Sequence, residues 1–145
     1  MHPRKATSVY ASVQRASYQT IKPPFLASVI VDFEGGAQAR LNFNGHVSHG
    51  QEDRTIIAGS KGTLRAFGPE LNDQAVALWT DAGHARPVLE GCWFESGFQG
   101  TMGELLCAIE ENRTPFNHAR GNLDSLALCF AAMRSADAGQ PVPLS

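Results

Sequence analysis

Residues 27–44 read ASVIVDFEGGAQARLNFN, two runs in which apolar and polar side chains alternate on either side of Glu34-Gly35-Gly36-Ala37. A period of two is the mark of a half-buried strand, and two such runs joined by a glycine-rich turn predict a hairpin. Directly opposed residues of an antiparallel pair share a face, so the register can be tested by asking which pairing sets like against like. A loop of Gly35, Gly36 and Ala37 places Val29 opposite Phe43, Val31 opposite Leu41 and Phe33 opposite Ala39 on one face, with Asp32 meeting Arg40 and Ile30 meeting Asn42 on the other. A Gly-Gly loop of two residues would set Phe33 against Gln38 and Val31 against Arg40, and is rejected.

Toward the N-terminus, Val9, Ala11 and Val13 alternate with Ser8, Tyr10 and Ser12, which predicts a further strand. Residues 1–31 are basic and rich in Ser and Thr, with Asp32 the first acid, a composition that also suits an organelle transit peptide. The alternation favours the strand. Toward the C-terminus, Thr55 to Ala58 and Thr63 to Phe67 flank the turn-forming Gly59-Ser60-Lys61-Gly62, a second hairpin. Ala75 to Thr80 and the weaker Ala85 to Glu90 add a third pair around Asp81-Ala82-Gly83-His84.

After Gly97 the period changes. Phe98, Met102, Leu105, Leu106 and Ile109 fall in one helical stripe, with Glu104, Cys107 and Glu111 on the other side, until Thr114-Pro115 breaks the helix. A second helix is predicted from near Asn122 to about Ala138, stopped by Gly139 and Pro141. Leu126 to Met133 carries no charge on any face, so this helix is expected to be covered on two sides, by the sheet and by the first helix. On that reading, truncating Phe130 to alanine costs ~3–5 kcal/mol.

Strands first and helices last define an α+β domain: an open-faced, mostly antiparallel sheet with two C-terminal helices packed on one face. The expectation is one domain over 1–145, with about 1–97 in a sheet of six or seven strands and 98–141 helical. The uncovered face is left to solvent or to another copy of the chain, with Tyr10, Tyr18 and Ile30 as apolar points on it.

Composition narrows the function. Of 145 residues, 43% are hydrophobic and 18% charged, which suits a folded domain rather than a disordered chain. A net charge of -2 lacks the basic surplus of nucleic-acid binding, and no apolar run is long enough to span a bilayer as a helix. Neither nucleic acid nor membrane is therefore expected as a partner. Cys92, Cys107 and Cys129 are odd in number and form no Cys-x-x-Cys pair, which points to a reducing cytoplasm.

Candidate chemistry is sparse. His46-x-x-His49 is the one local pair with metal-like spacing, but no third ligand accompanies it, and polar loop histidines are the better reading; no metal is expected. Cys107 sits among Glu104 and Glu111, an acidic setting that does not favour a thiolate nucleophile, so it reads as a surface residue; Cys129 reads as a small core residue, and Cys92 stays unassigned. Gly97-Phe-Gln-Gly100-Thr-Met-Gly103 lacks the Gly-x-Gly-x-x-Gly spacing, and Gly59-Ser-Lys-Gly62 joins two strands rather than a strand to a helix. Nothing assembles a catalytic triad or a carboxylate pair.

The last third runs Trp93-Phe94-Glu95-Ser96-Gly97-Phe98-Gln99-Gly100-Thr101-Met102-Gly103-Glu104-Leu105-Leu106, then Ala108-Ile109-Glu110-Glu111-Asn112 and Asn122-Leu123-Asp124-Ser125-Leu126, and closes on Ser135-Ala136-Asp137-Ala138-Gly139-Gln140-Pro141-Val142. With Ser8-Val9-Tyr10-Ala11, Phe33-Glu34-Gly35-Gly36-Ala37 and Gly59-Ser60-Lys61-Gly62-Thr63-Leu64 upstream, it resembles the C-terminal domain of the Gfo/Idh/MocA oxidoreductases, the sugar and inositol dehydrogenases and their relatives, over nearly all of the chain.

The resemblance implies a domain that contributes to the substrate pocket and whose exposed sheet face makes a homo-oligomer contact. It also implies NAD or NADP as cofactor of the full-length enzyme. The family's Rossmann domain, its Glu-Lys-Pro motif and its Asp and His have no counterpart among these residues, so no cofactor site and no catalytic residue is expected here, and hydride transfer calls for a Rossmann-domain partner. The expected function is the substrate-binding and oligomerisation domain of an NAD(P)-dependent sugar or polyol oxidoreductase, catalytically incomplete by itself. The alternative is a stand-alone non-enzymatic dimerisation or small-ligand-binding module. His46 and His49 in the loop after the first hairpin, and Trp93 and Phe94 before the first helix, are the expected substrate contacts, because a polyol asks for hydrogen-bonding groups beside an apolar wall.

Overall fold

The computed structural model describes residues 4–144. In chain order its elements are β1 (Ala6–Gln14), β2 (Leu26–Phe33), β3 (Gln38–Asn44), β4 (Asp53–Gly59), β5 (Gly62–Glu70), β6 (Asp73–Thr80), β7 (Gly83–Ala85), α1 (Trp93–Glu110), α2 (Leu123–Ala138) and β8 (Val142–Pro143). The α+β class with antiparallel ladders and two late helices is as expected. The strands divide into two four-stranded sheets, β3-β2-β1-β8 and β4-β5-β6-β7, rather than one of six or seven strands. Two compact units result, one made of 4–46 with 118–144 and the other of Val47–Asn117.

In the first unit, the alternation of β1 turns Val9 and Ala11 inward, and α2 lies on β1 and β8. Val9, Val31 and Ala131 form the buried cluster, with Val29, Phe33, Ala39, Leu128, Ala132 and Val142 packed round it. Leu128, Ala131, Ala132 and Ser135 share one face of α2 at helical spacing, and three of the four are small, so the helix backbone comes close to the strand. Ser135 is fully buried. Its hydroxyl donates to the carbonyl of Gln140 at 2.7 Å and accepts from the Ala11 amide at 2.9 Å, continuing the edge of β1 where β8 stops after pairing with Ser8 and Val9. Gly139 ends α2 in the left-handed conformation (φ 66°), its amide bonded to Ser135.

Two expectations for α2 are corrected. Phe130 is 57% exposed, and Leu126 and Met133 are similarly open, so large apolar residues line the face away from β1 instead of a second covered side. The uncharged run reflects Leu128 and small residues inside and Leu126, Phe130 and Met133 outside. Cys129 is likewise exposed rather than in the core.

The first hairpin forms, but its register differs from the one expected. Val29 faces Leu41, Val31 faces Ala39, Ile30 faces Arg40 and Asp32 faces Gln38. The loop is Glu34–Gly36, a single 3-10 turn closed by the Phe33 amide on the Ala37 carbonyl at 2.9 Å, with Gly35 at φ 73° and Gly36 at φ 77°. Two successive left-handed residues are what glycine allows. The error is two residues, which leaves every side chain on its expected face; the like-with-like test detects only slips by one.

In the Val47–Asn117 unit, Gly59 pairs with Gly62, leaving Ser60-Lys61 as the turn of the second hairpin. The third pair is tighter and shorter than expected: Thr80 faces Gly83 across Asp81-Ala82, and β7 stops at Ala85 rather than Glu90, ahead of Pro87, which has no amide for a ladder. A bulge between Phe67 and Glu70 breaks the β5–β6 register, and Gly68 is obligatory there because a Cβ would stand 1.8 Å from the Asp73 carbonyl oxygen.

Helix α1 begins at Trp93, not after Gly97, so Trp93 and Phe94 form its first turn instead of a preceding loop. No side chain at Cys92 caps it; the Ser96 hydroxyl accepts the Cys92 amide at 3.0 Å from inside the helix, a signal the sequence pattern does not display. Its apolar stripe is open, with Phe98, Leu106 and Ile109 each more than half exposed, and Ala108 is its one buried residue. Asn112 at φ 51° ends the helix two residues before Thr114-Pro115.

Candidate functional site

Each predicted contact residue has a defined setting. His46 belongs to the first unit, where its ring lies 5.3 Å from that of Tyr18, edge-on, and 5.4 Å from Phe25. Its Nε2 is 3.1 Å from Oε1 of Gln19, and its amide donates to Oδ1 of Asn44 at 3.0 Å. It is an aromatic-packed, hydrogen-bonded histidine. His49 lies on the exposed 47–52 segment of the other unit. Among the described residues no group of three His, Cys, Asp or Glu side chains converges as a metal site.

Trp93 and Phe94 pack edge-to-face at 4.9 Å, and Phe94 lies 6.3 Å from Phe98. With Cys92, Ser96, Gly97 and Thr101 they line an open groove of about 530 Å³ along the first turns of α1. Its hydroxyls are already engaged, Ser96 with the Cys92 amide and Thr101 donating to the Gly97 carbonyl at 2.9 Å. The groove offers aromatic faces before it offers polar donors.

Two polar assemblies escaped the sequence reading. On the face of the first sheet opposite α2, the ladder sets Ser8, Asp32 and Gln38 in one row and Tyr10, Ile30 and Arg40 in the next. Asp32 accepts from Gln38 and from Ser8, each at 2.9 Å, which holds its carboxyl below the ordinary range, and Arg40 reaches Gln38 at 2.7 Å instead of pairing with Asp32. At the end of α1, Glu104, its side chain 12% exposed, takes a two-pronged bond from Arg113 (2.6 and 3.0 Å) and one from the Phe116 amide at 2.8 Å. These donors, the guanidinium first, lower its pKa, while Glu104 and Glu111 together raise that of Arg113. A carboxylate reaching back to a residue beyond the helix end follows from the left-handed Asn112, which no periodicity reveals.

A nicotinamide nucleotide does not fit the described residues. Gly59 to Gly62 is the end of a β-hairpin, and Gly97, Gly100 and Gly103 lie inside α1, so neither glycine run opens a helix after a parallel strand to cradle a pyrophosphate.

Two antiparallel four-stranded sheets followed by two late helices define an α+β domain. More narrowly, the chain matches the oxidoreductase family, C-terminal alpha/beta domain (the Gfo/Idh/MocA oxidoreductases) over residues 3–144, and it belongs to that family. Solved structures agree in fold. The WlbA dehydrogenase from Bordetella pertussis, in complex with NADH and UDP-GlcNAcA, is 24% identical, with a TM-score of 0.72 over 97% of this chain and 40% of that one. An aldose-aldose oxidoreductase from Caulobacter crescentus complexed with glycerol is 19% identical (TM-score 0.77; 97% of this chain, 42% of that one). An oxidoreductase from Agrobacterium radiobacter, in complex with NAD+, L-tartaric acid and magnesium, is 19% identical (TM-score 0.78; 95% and 43%). The chain thus spans less than half the length of these proteins. No curated protein sequence matches it. Among the described residues no helix is long and apolar enough to cross a membrane.

Proposed function

We propose that these residues are the substrate-side and subunit-contact domain of an NAD(P)-dependent oxidoreductase acting on a sugar, a polyol or a related hydroxylated compound. The carrying observation is the family match over 3–144 in a chain that spans only 40–43% of neighbours crystallised with NADH, NAD+, glycerol, tartaric acid or a nucleotide sugar. Hydride transfer requires a nicotinamide held against the substrate carbon. Because the described residues form no pyrophosphate cradle, a separate nucleotide-binding domain supplies that half of the chemistry.

His46, His49, Trp93 and Phe94 are proposed as substrate contacts, each within its own unit. The imidazoles supply hydrogen bonds, and the Trp93–Phe94 pair supplies an aromatic wall on which the C–H face of a sugar ring rests. The face of the first sheet bearing Tyr10, Ile30 and Arg40 is the proposed contact with a second copy, since it is the side of that sheet away from α2. Three free thiols fit a reducing, cytoplasmic setting.

Light scattering on the 145-residue chain, paired with titrations of NAD and NADP, tests this reading. A homodimer or tetramer that ignores both nucleotides is expected; saturable binding of either one overturns the division of labour. Alanine at His46, His49 or Trp93 should each diminish sugar-induced chemical shifts, and shifts untouched in all three variants would remove the contact assignment.

A further inference from the structure

The segment 15–25, between β1 and β2, is tied back on itself by its own polar side chains. The Gln19 backbone amide donates to the Ala16 carbonyl at 3.0 Å, and Nη2 of Arg15 donates to the carbonyls of Gln19 and Ile21 at 3.1 and 3.0 Å. The side chain of Gln19 adds two bonds, its Nε2 donating to the Ile21 carbonyl at 2.7 Å and to that of Pro23. At the far end of the segment, the Gly45 amide donates to the Phe25 carbonyl at 2.9 Å. A Cβ on Gly45 would stand 3.2 Å from the Phe25 ring, so that ring lies directly on the backbone leading into His46.

These contacts decide which end of the Gln19 side chain meets the imidazole. Only the NH2 end of an amide can bond two carbonyl oxygens, and turned over, the group would aim its own oxygen at both. Oε1 is therefore the atom that lies 3.1 Å from Nε2 of His46. An amide oxygen can only accept, so Nε2 carries the proton and the neutral ring keeps its lone pair on Nδ1. Tyr18, edge-on at 5.3 Å, and Phe25, at 5.4 Å, flank the ring, while Gln19 sets which of its nitrogens points into the loop.

We propose that Gln19 is a positioning residue for His46: held by the Ile21 and Pro23 carbonyls, its amide oxygen fixes the imidazole as the Nε2–H tautomer. For function the assignment rests on the reading of His46 as a substrate contact. On that reading a hydroxylated substrate meets the ring in one tautomer and one orientation, its ordering already complete before binding.

The test is the tautomer ratio of His46, read from the imidazole nitrogen shifts of the 145-residue chain carrying isotopically labelled histidine, in mildly alkaline solution where imidazoles are neutral. The Nε2–H form is expected to predominate in the parent. Gln19→Leu removes the acceptor at similar volume, and the ratio of Nε2–H to Nδ1–H should fall roughly two- to tenfold, the equivalent of one net hydrogen bond. Gln19→Glu keeps an accepting oxygen and should hold the ratio at or above the parent's, since a carboxylate accepts more strongly than an amide. Both variants lose the bonds to Ile21 and Pro23, so this rescue separates the acceptor from the packing of the loop. The Val9 and Val31 amide signals check that the buried cluster is intact, and Gln19→Glu decides by itself if the leucine variant unfolds. A predominant Nδ1–H form in the parent, an unchanged ratio in Gln19→Leu, or an equal fall in both variants would each overturn the positioning role. D-Glucose is then added as the probe of the substrate reading. Glucose-induced shifts at His46 that weaken in Gln19→Leu and return in Gln19→Glu support both inferences. His46 signals that ignore glucose in the parent would overturn the contact reading alone, the tautomer ratios still deciding whether Gln19 positions the ring.

Discussion

In the unit made of 4–46 and 118–144, Val9, Ala11, Val31, Ala131 and Ser135 lie almost wholly out of solvent, whereas in Val47–Asn117 only Ala77 and Ala108 reach that state among the described residues. The difference traces to the two helices. Helix α2 presents Ala131, Ala132 and Ser135 to β1, so backbone approaches backbone and the valines of β1 and β2 are sealed beneath it. Helix α1 spends Gly97, Gly100 and Gly103 along its length, positions where an added Cβ would meet nothing within 4 Å, and its large apolar residues stand open. Buried apolar area is the main favourable term in folding, so the first unit should hold most of the stability and the second should respond weakly to core-type mutations.

The sharpest way to break that comparison is Val31→Ala. At 1% exposure, Val31 sits at the centre of the buried cluster, and removing its two methyl groups costs about 2–3 kcal/mol from lost transfer energy plus the cavity. A urea midpoint within error of the parent would show that α2 does not seal β1. Next in size is Ser135→Ala, which leaves the Ala11 amide and the Gln140 carbonyl without a partner and costs about 1–3 kcal/mol. Hydrogen exchange at the Ala11 amide reads it locally: protection should fall there while the Val31 amide is much less affected. Phe130→Ala should cost only about 1 kcal/mol, because more than half of that ring is already in water. A loss as large as that of Val31→Ala would mean that the outer face of α2 is covered in solution.

The ~3–5 kcal/mol expected for Phe130 from the sequence shows where such reading stops. Period-two alternation located β1, β2 and β3 and placed every residue of the first hairpin on the correct face, because the pattern and the pleat share one period. It missed the register by two residues because that slip changes no side of the sheet. An uncharged helix carries no polar stripe to mark its outside, so the pattern predicts α2 covered on two sides, whereas only the side bearing Leu128, Ala131, Ala132 and Ser135 faces the strand. The site was less legible still. The sequence singles out His46 and Trp93 as residues, but the ring contacts of His46 with Tyr18 and Phe25, the Glu104–Arg113 bond and the stacking of Arg65 on Trp79 and of Arg86 on Phe67 depend on turns and ladders that bring distant residues together.

A smaller effect, confined to the end of α1, is expected from acid. The folded-state pKa of Glu104 lies below its ordinary value of 4.5, so the bonds to Arg113 and Phe116 contribute fully above that value and are lost as pH falls through the lower, folded one. The Phe116 amide resonance should therefore hold steady through the ordinary glutamate range and move only in stronger acid, and in Glu104→Gln that acid transition should vanish. Titration of the Phe116 signal at the ordinary value would show the clamp to be open in solution.

Gly100→Ala probes the bare helix directly, and its sign is opposite to the others. Gly100 is an interior, exposed position of α1 with helical neighbours on both sides, and nothing lies within 4 Å of where a Cβ would stand. Glycine there costs about 0.5–1 kcal/mol relative to alanine, since the unfolded chain loses more freedom on entering the helix. Alanine should raise helicity by circular dichroism and the midpoint of whatever transition α1 reports, and leave the midpoint reported by the Val9–Val31 cluster alone if the two units unfold separately. A gain shared equally by both signals would show that the units unfold as one cooperative body, while a loss of stability would mean that the glycine face of α1 is occupied in solution, because only a neighbour pressed against that face would make an added methyl group unwelcome.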